Sequence, residues 1–524
     1  MHNSALAIAI IESIPERFRT EKAVNFNAII HLNLSGEFAL LYTVAIENQT
    51  CNLQKGLHGK ANCIVTSSIE NYEALEIGQL NPQEALLTGK VQVSDIAVMI
   101  QFVKCFKRYS TTPKLEQNLF ENIQQRIELE GPLKGVRIID FTRLLPGPLA
   151  TMFLAQQGAE VIKIEDPENP DYIRDFEPKV GNSSAFYLSL NANKKSFSIN
   201  YLNKKGRQIL LELIKTADVL VEQFRPSVMQ KFGLDFETLK GINPKLIYVS
   251  ITGYGSQSSL QNAAGHDLNF IAESGLPYIS GSKPTLFGFQ AADVAGGSYM
   301  AMNAIATALF QREKTGKGTF VNVSMSDGAL PLMALPLALQ QFKSENISAQ
   351  NFELAGAVAN YNIYECSDGN FVALAALEPK FWNNFCIAIS KPEWKEKILS
   401  SGEKMNELKK ELELLFLSKT KAEWLNILVK ADCCFSAVNS PKETLESPYF
   451  KEQSMFIETE FSANNKLKIL RHPLVFEQTD FSKKWNAPNL GEDSIALLQS
   501  LRVEKNEIQD LVTQGIVKQS QPNS

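Results

Sequence analysis

Gly265-His266-Asp267, Ala292-Asp293 and Leu377-Glu378-Pro379 supply two proton carriers of different chemistry and a carboxylate able to orient an imidazole. Together they suit moving a proton off and onto carbon. A carbon acid beside a carbonyl or thioester is weak, so its ionisation needs a positioned base and something to hold the enolate oxygen. His266 and Asp293 are the candidate bases. If they flanked one carbon from opposite sides, one would take the proton and the other return it, inverting the centre. Asp267 precedes the apolar-rich Leu268-Asn269-Phe270-Ile271-Ala272 and reads as a helix opening under an acidic first turn, whose free N–H groups can hold an oxyanion. A single His beside an Asp is more often a cap or a satisfied polar contact. From these residues alone both readings stay open.

The elements that must position these groups follow from periodicity. The apolar run 136–141 is too short for a helix and suits a buried parallel strand. The turn Pro146-Gly147-Pro148 follows it, then a helix-like stretch 149–157 that stops at Gly158, then a strand 161–164. Such a βαβ unit puts the Pro-Gly-Pro turn at the carboxyl end of a strand, where α/β sheets bind ligands. A second passage of the same kind runs from a strand at 196–200 through a helix at 204–216 to strands at 219–222 and 246–252. Neither passage carries a GxGxxG fingerprint or a Walker loop, which disfavours a dinucleotide or ATP enzyme. Asp293 precedes Gly296-Gly297 and the apolar 299–310, so it belongs at or just before a long buried helix. There the macrodipole favours a carboxylate, and closure over an acyl chain would raise its proton affinity.

Residues 1–110 differ in character. The stretches 27–34 and 37–47 alternate or run apolar between Ser35-Gly36 and Asn48-Gln49, as antiparallel strands with a turn would. Ser67-Ser68-Ile69-Glu70 is a capping box before a short helix, Asn81-Pro82-Gln83-Glu84 starts another that ends at Gly89, and Ser94-Asp95 opens a strongly apolar helix over 96–103. Residues 111–130 read as a linker with a polar, helix-prone segment. Beyond 490 one amphipathic stretch, 494–512, precedes a tail expected to fray.

Over roughly residues 131–490 the chain resembles the class III CoA-transferase family and, inside it, the α-methylacyl-CoA racemase branch. The blocks that carry the likeness, in the family's order, are Gly135-Val136-Arg137-Ile138-Ile139-Asp140-Phe141, Leu145-Pro146-Gly147-Pro148, and the run from Gly158 through Val161-Ile162-Lys163-Ile164-Glu165. Later come Val221-Glu222-Gln223-Phe224-Arg225-Pro226, Thr252-Gly253-Tyr254-Gly255 and Thr315-Gly316-Lys317-Gly318. The resemblance implies a Rossmann-like parallel-sheet large domain, a smaller α+β domain at about 360–450, and an interlaced homodimer. It implies His266 and Asp293 as the acid/base pair, Glu378 as the partner of the imidazole, and Asp267 at the oxyanion end. It places CoA contacts at Pro146, Lys163, Lys194, Lys195, Arg225 and Tyr254, with CoA as part of the substrate and no separate cofactor or metal. The transferases of the same family use the aspartate matching Asp293 as a nucleophile that carries the acyl group. Two departures stand out: Asp166 where relatives often have an arginine, and Asn191-Ala192-Asn193-Lys194 where they have Asn-Arg-Asn-Lys. Each removes a cation that could meet a CoA phosphate.

Residues 1–110 resemble the sterol carrier protein domain, most specifically through Leu80-Asn81-Pro82-Gln83-Glu84-Ala85-Leu86-Leu87-Thr88-Gly89-Lys90-Val91. The resemblance implies an α+β fold around a cavity for fatty acyl chains, sterols or their CoA esters, lined by residues such as Met99, Phe102 and Phe106. The joint expectation is an α/β enzyme racemising a 2-methyl-branched or related 2-substituted acyl-CoA, fused to a lipid-binding domain. A CoA-transferase working through Asp293 and a non-catalytic carrier of lipid or acyl-CoA are the alternatives.

Composition bounds the rest. At 524 residues and 44% apolar the chain holds more than one core. A net charge of -5 gives no drive toward nucleic acid or anionic membrane, and no apolar run is long enough for a transmembrane segment. Seven cysteines without paired CxxC spacing argue against a disulfide scaffold or a zinc site. The amino terminus lacks a basic flank and Gln521-Pro522-Asn523-Ser524 is not a peroxisomal tripeptide, so a cytoplasmic setting is expected.

Overall fold

A computed structural model describes residues 5–106 and 131–520, apart from 25, 37–38, 78–79, 182, 463–464 and 478–485. The chain divides into two compact units, residues 1–128 and 129–524. The expected linker, 111–130, lies outside the described residues.

In the first unit a five-stranded sheet runs in the order Thr50–Lys55, Leu40–Glu47, Ala28–Ser35, Cys63–Ser68, Val91–Val93. All neighbours are antiparallel except Ala28–Ser35 and Cys63–Ser68, which are parallel. Alternation sends Ile30, Leu32 and Leu34, with Tyr42, Val44 and Ile46 opposite them, into one core. The helix over Ile69–Glu76 is capped by Ser68, whose hydroxyl accepts from Asn71 N at 3.2 Å. The cap is one residue later than the expected capping box, because the strand consumes Ser67. The apolar helix Ile96–Lys104 is capped by the Asp95 carboxylate at 3.0 Å from Val98 N. Its Phe102 is buried, with Met99 and Phe106 packed against the same core. The stretch Ala5–Glu12 is a helix whose Ala7, Ile10 and Ile11 complete that core. The sequence reading assigned it no structure.

The second unit is built on a seven-stranded sheet. Its strands lie in the order Thr319–Ser324, Ile247–Thr252, Val219–Glu222, Arg137–Asp140, Glu160–Glu165, Lys195–Ile199, Val517–Lys518. The first six are mutually parallel and the last is antiparallel. The central strands are buried on both faces, which is why they read as unbroken apolar runs. The chain builds outward from Arg137–Asp140 in one direction, then returns to add Val219–Glu222 on its other side. The carboxyl ends of these two strands therefore border a topological switch point.

Three elements differ from the sequence reading. The helix after the first strand begins at Pro146 and runs to Gln156, so Pro146-Gly147-Pro148 forms its first turn and not a preceding loop. Proline suits that place, since it has no N–H to leave unpaired. The stretch 494–512 is two helices, Ser494–Ser500 and Lys505–Thr513, broken at Arg502 with φ +61°. The tail then adds Val517–Lys518 to the sheet, pairing Val517 with Ile199 and Lys518 with Ser198. A smaller sheet of Tyr361–Glu365, Phe371–Ala375 and Phe435–Val438, with helices between, has its own aromatic core around Trp382, Phe416 and Trp424. Among the described residues no helix is long and apolar enough to cross a membrane.

Candidate active site

A cleft of about 230 Å³ opens at the switch point. Leu144 and Pro146 enter it from the turn after Arg137–Asp140, Gln223, Phe224 and Arg225 from the turn after Val219–Glu222, and Thr252, Gly253 and Tyr254 from the end of Ile247–Thr252. Gly265, His266, Phe270, Asp293 and Met325 close the far side. Four residues proposed from distant blocks of sequence, His266, Asp293, Arg225 and Tyr254, thus share one cleft with Pro146.

His266 stands at the N-terminus of the helix Asp267–Glu273, outside its first turn, with its own N–H donated to the Asn269 side chain at 3.1 Å. His266 is exposed and lines the cleft. Asp293 lies in a wide helical turn, Ala292–Tyr299, with π-type hydrogen bonding, which continues as the α-helix Met300–Thr315. Such turns recur at functional sites because they rotate a side chain out of α-helical register. Asp267 contacts Asp293 directly: the Asp293 N–H donates to Asp267 Oδ1 at 2.9 Å. Burial, and after it the charge of Asp267, push the Asp293 carboxyl up to about 7. A carboxyl at that value can both give and take a proton near neutrality.

The wide turn can sit where it does because Gly296 has no side chain. A Cβ there would lie 2.3 Å from the Met325 carbonyl oxygen and 3.0 Å from Ala329 N. Across the turn, Ser298 Oγ donates to Pro146 O at 2.7 Å, tying Asp293's segment to the turn on the opposite strand.

That opposite turn is itself fastened at nearly every backbone group. Gln223 donates to Arg143 O at 2.6 Å and accepts from Gly147 N at 3.2 Å. Leu144 holds a left-handed backbone, φ +58°, with its N–H donated to the Asp171 carboxylate at 3.3 Å. Left-handed backbone is strained for a leucine and persists only when its surroundings impose it.

Lys163 and Lys194 are not at the cleft, and this corrects their expected contact with CoA. Both side chains are fully buried. Lys163 Nζ bonds Asp171 at 3.0 Å and Thr142 O at 2.7 Å. Lys194 Nζ bonds Asp140 at 3.0 Å, Pro148 O at 3.0 Å and Asn191 at 2.9 Å. Buried and bonded within the protein, Lys194 through all three ammonium protons and Lys163 through two, neither reaches a phosphate in the cleft; they fasten the turn. Burial pushes the Asp140 carboxyl up, yet the two ammonium groups overcome it and hold it at about 2. Lys195 is exposed and paired with Glu160 at 2.6 Å, away from the residues that line the cleft. Ala192 is buried in an apolar cluster with Met152 and Phe153.

Glu378 also stands apart from the cleft's lining. It is exposed, at the N-terminus of the helix Pro379–Ala388 in the smaller sheet's subdomain. Sequence reasoning missed Gln223, Leu144, Phe270 and Met325. Gln223 adjoins the Phe224-Arg225 block, and that adjacency was the available signal; the other three are apolar residues that nothing local distinguishes from core.

Residues 133–494 match the family model of CoA-transferase family III, and residues 11–107 match that of the SCP-2 sterol transfer family. Human succinyl-CoA:glutarate CoA-transferase is 31% identical over 401 residues, covering 74% of this chain and 90% of that protein. Human alpha-methylacyl-CoA racemase is 30% identical over 390 residues, covering 74% and 97%. Among solved structures, a CAIB/BAIF family protein from Brucella suis is 27% identical with a TM-score of 0.62, covering 71% of this chain and 99% of that one. Rv3272 from Mycobacterium tuberculosis is 28% identical with a TM-score of 0.60, covering 70% and 99%. Relatives of two chemistries thus stand at nearly equal identity.

Proposed function

We propose, on the premise that the chain belongs to CoA-transferase family III and carries an SCP-2 sterol transfer domain ahead of it, that it racemises 2-methyl-branched or related 2-substituted acyl-CoA thioesters. The observation that carries this reading is the shared cleft of His266 and Asp293, with the carboxyl raised to about 7. The thioester makes the C2 proton acidic. One of the two groups takes it while the other, already protonated, returns a proton to the opposite face. For the other hand of substrate they exchange roles. The first backbone N–H groups of Asp267–Glu273, the helix that His266 precedes, would donate to the enolate oxygen. No metal or redox partner enters these steps.

In this reading an interlaced homodimer completes the site, with the partner subunit's Glu378 against His266 to orient the ring. Large apolar side chains left exposed here support such a partner: Leu332 and Leu335, on helical segments, and Phe342, in the turn that follows, are 50%, 61% and 88% exposed. The carrier domain, in turn, takes a fatty acyl or sterol-like ligand.

The transferase relatives, at the same level of identity, favour a second reading, in which Asp293 attacks the thioester, forms an acyl-aspartyl anhydride and releases CoA thiolate, and CoA ends on an acceptor carboxylic acid while the donor acid is freed. Incubating one enantiomer of a 2-methylacyl-CoA in deuterated water without acceptor acid separates the two. Racemisation gives deuterium at C2 with loss of optical purity. No exchange, together with an acyl-aspartyl adduct trapped by hydroxylamine, would replace the proposal with transfer. Binding without either reaction would leave a carrier.

A further inference from the structure

Tyr254 brings to the cleft a hydroxyl that the two-base scheme leaves without a role. The residue lines the cleft just beyond the strand Ile247–Thr252. Its hydroxyl oxygen lies 3.2 Å from the point that a Cβ would occupy on Gly265. Gly265 lines the same cleft and leads directly into His266, so the hydroxyl stands beside the backbone that carries the candidate base. Among the described residues no group is hydrogen-bonded to that hydroxyl. A tyrosine ring packed against protein usually finds a partner for its O–H, and here the donor is left for whatever occupies the cleft.

The ring that carries the hydroxyl is held firmly. Phe270 meets it edge-on, with ring centres 5.1 Å apart and planes at 83°. Phe270 is in turn wedged between two glycines: a Cβ would lie 2.3 Å from its Cε1 on Gly253 and 2.7 Å from it on Gly265. The turn around Tyr254 is tied as well, since Thr252 Oγ1 accepts from Gly255 N at 3.1 Å and Asn322 Oδ1 accepts from Ser256 N at 3.2 Å. A donor fixed before reaction needs no reorganisation when charge develops in front of it. If C2 of a substrate lies between His266 and Asp293, its thioester oxygen is two bonds from C2 and comes close to the histidine.

We propose that Tyr254 is a catalytic residue whose hydroxyl donates a hydrogen bond to the thioester oxygen as negative charge gathers there, alongside the first N–H groups of Asp267–Glu273. When one carrier takes the C2 proton, the electrons of the C–H bond form the enolate double bond and the carbonyl pair moves onto oxygen. The phenolic proton stays on Tyr254 throughout, and the electrons return to C2 when the second carrier delivers its proton. The inference rests on the racemase reading above, and it moves Tyr254 from the CoA contact expected from sequence to the reacting end of the substrate.

Tyr254→Phe in the full-length protein tests it, because the variant loses one oxygen and keeps the ring against Phe270. The rate of C2 deuterium exchange is measured with a 2-methylacyl-CoA, and affinity for CoA itself by calorimetry. The variant's kcat is expected to fall about 10²-fold, the scale of losing one oxyanion donor. An interaction made only as charge develops leaves binding alone, so KM and CoA affinity should stay within about threefold. Parental kcat in the variant would overturn the proposal. So would a raised KM with kcat kept, or a loss of CoA affinity as large as the loss of rate, since either makes the hydroxyl a binding contact. All three of those results leave the racemase reading standing. Absence of exchange in the unaltered protein would instead refute that reading, and the role of Tyr254 with it. A melting temperature within a few degrees of the parent shows that the variant is folded.

Discussion

The backbone N–H of Asp293 is donated to the carboxylate of Asp267 at 2.9 Å, so the candidate acid/base and a second negative charge are held side by side. This contact, added to burial, brings the Asp293 carboxyl to about 7. Removing the charge while keeping an acceptor should lower it. In the two-base scheme the active enzyme has one proton shared between His266 and Asp293, so kcat/KM is bell-shaped in pH and its acid limb marks protonation of the pair. Asp267→Asn is therefore expected to move that limb to lower pH. An unmoved or upward-shifted limb in a pH–rate profile would refute the coupling.

The same shift has a stability consequence of definite sign. The folded value of Asp293 lies above its ordinary 3.8, so the stabilisation is complete below about 4 and is lost as pH rises toward 7, where the buried carboxylate must charge. Asp293→Asn should melt higher than the parent at pH 8, with the gain shrinking to nothing near pH 4. Thermal melts at the two pH values give the comparison.

Loss of either proton carrier should cost at least about 10²-fold in C2 exchange, the lower bound for a positioned acid or base. His266→Gln and Asp293→Asn both place the change at the cleft surface and not in the core. Each should still bind acyl-CoA within a few-fold of the parent. Exchange rates near parental in either variant would remove that residue from the mechanism.

Lys194 and Lys195 are neighbours in sequence with opposite fates. Lys194→Met takes the ion-pair partner from the buried Asp140 carboxylate and should cost about 3–5 kcal/mol of unfolding free energy. Lys195→Met breaks an exposed pair and should cost about 1 kcal/mol or less. Urea unfolding of the two variants decides; similar losses would contradict the burial assigned here.

Gly296→Ala puts a Cβ 2.3 Å from a backbone oxygen, where no rotamer change gives relief. The turn carrying Asp293 must shift. We expect a destabilisation of about 1–3 kcal/mol, the range for overpacking, together with a drop in exchange rate larger than that of a distant variant of equal stability.

Most of the sheet was legible because parallel strands buried on both faces leave continuous apolar runs, as 219–222 and 247–252 do. The candidate site was legible as residue types at His266 and Asp293. Its walls were not. Lys163 and Lys194 read as CoA contacts because charge is visible in sequence and burial is not. Their partners Asp171 and Asp140 lie eight and 54 residues away, and only the folded sheet brings them within 3.0 Å. The Pro146 helix start was misjudged although proline at a first helical position is a local signal. The strand Val517–Lys518 had none: two residues acquire strand geometry only from the edge they meet.

That edge imposes an order on synthesis. Ser196 N–H waits for the Asp493 carboxylate 297 positions downstream, and Ser198 and Ile199 wait for Lys518 and Val517. At ribosomal speeds of roughly 5–20 residues per second, the flank of a half-made sheet stays unpaired for about 15–60 s after it emerges. The amino-terminal unit, whose sheet draws its strands from residues 28 to 93, can close meanwhile. A nascent chain halted before Val517 would present an open strand able to recruit another, which makes the last residues of the sheet a guard against clumping.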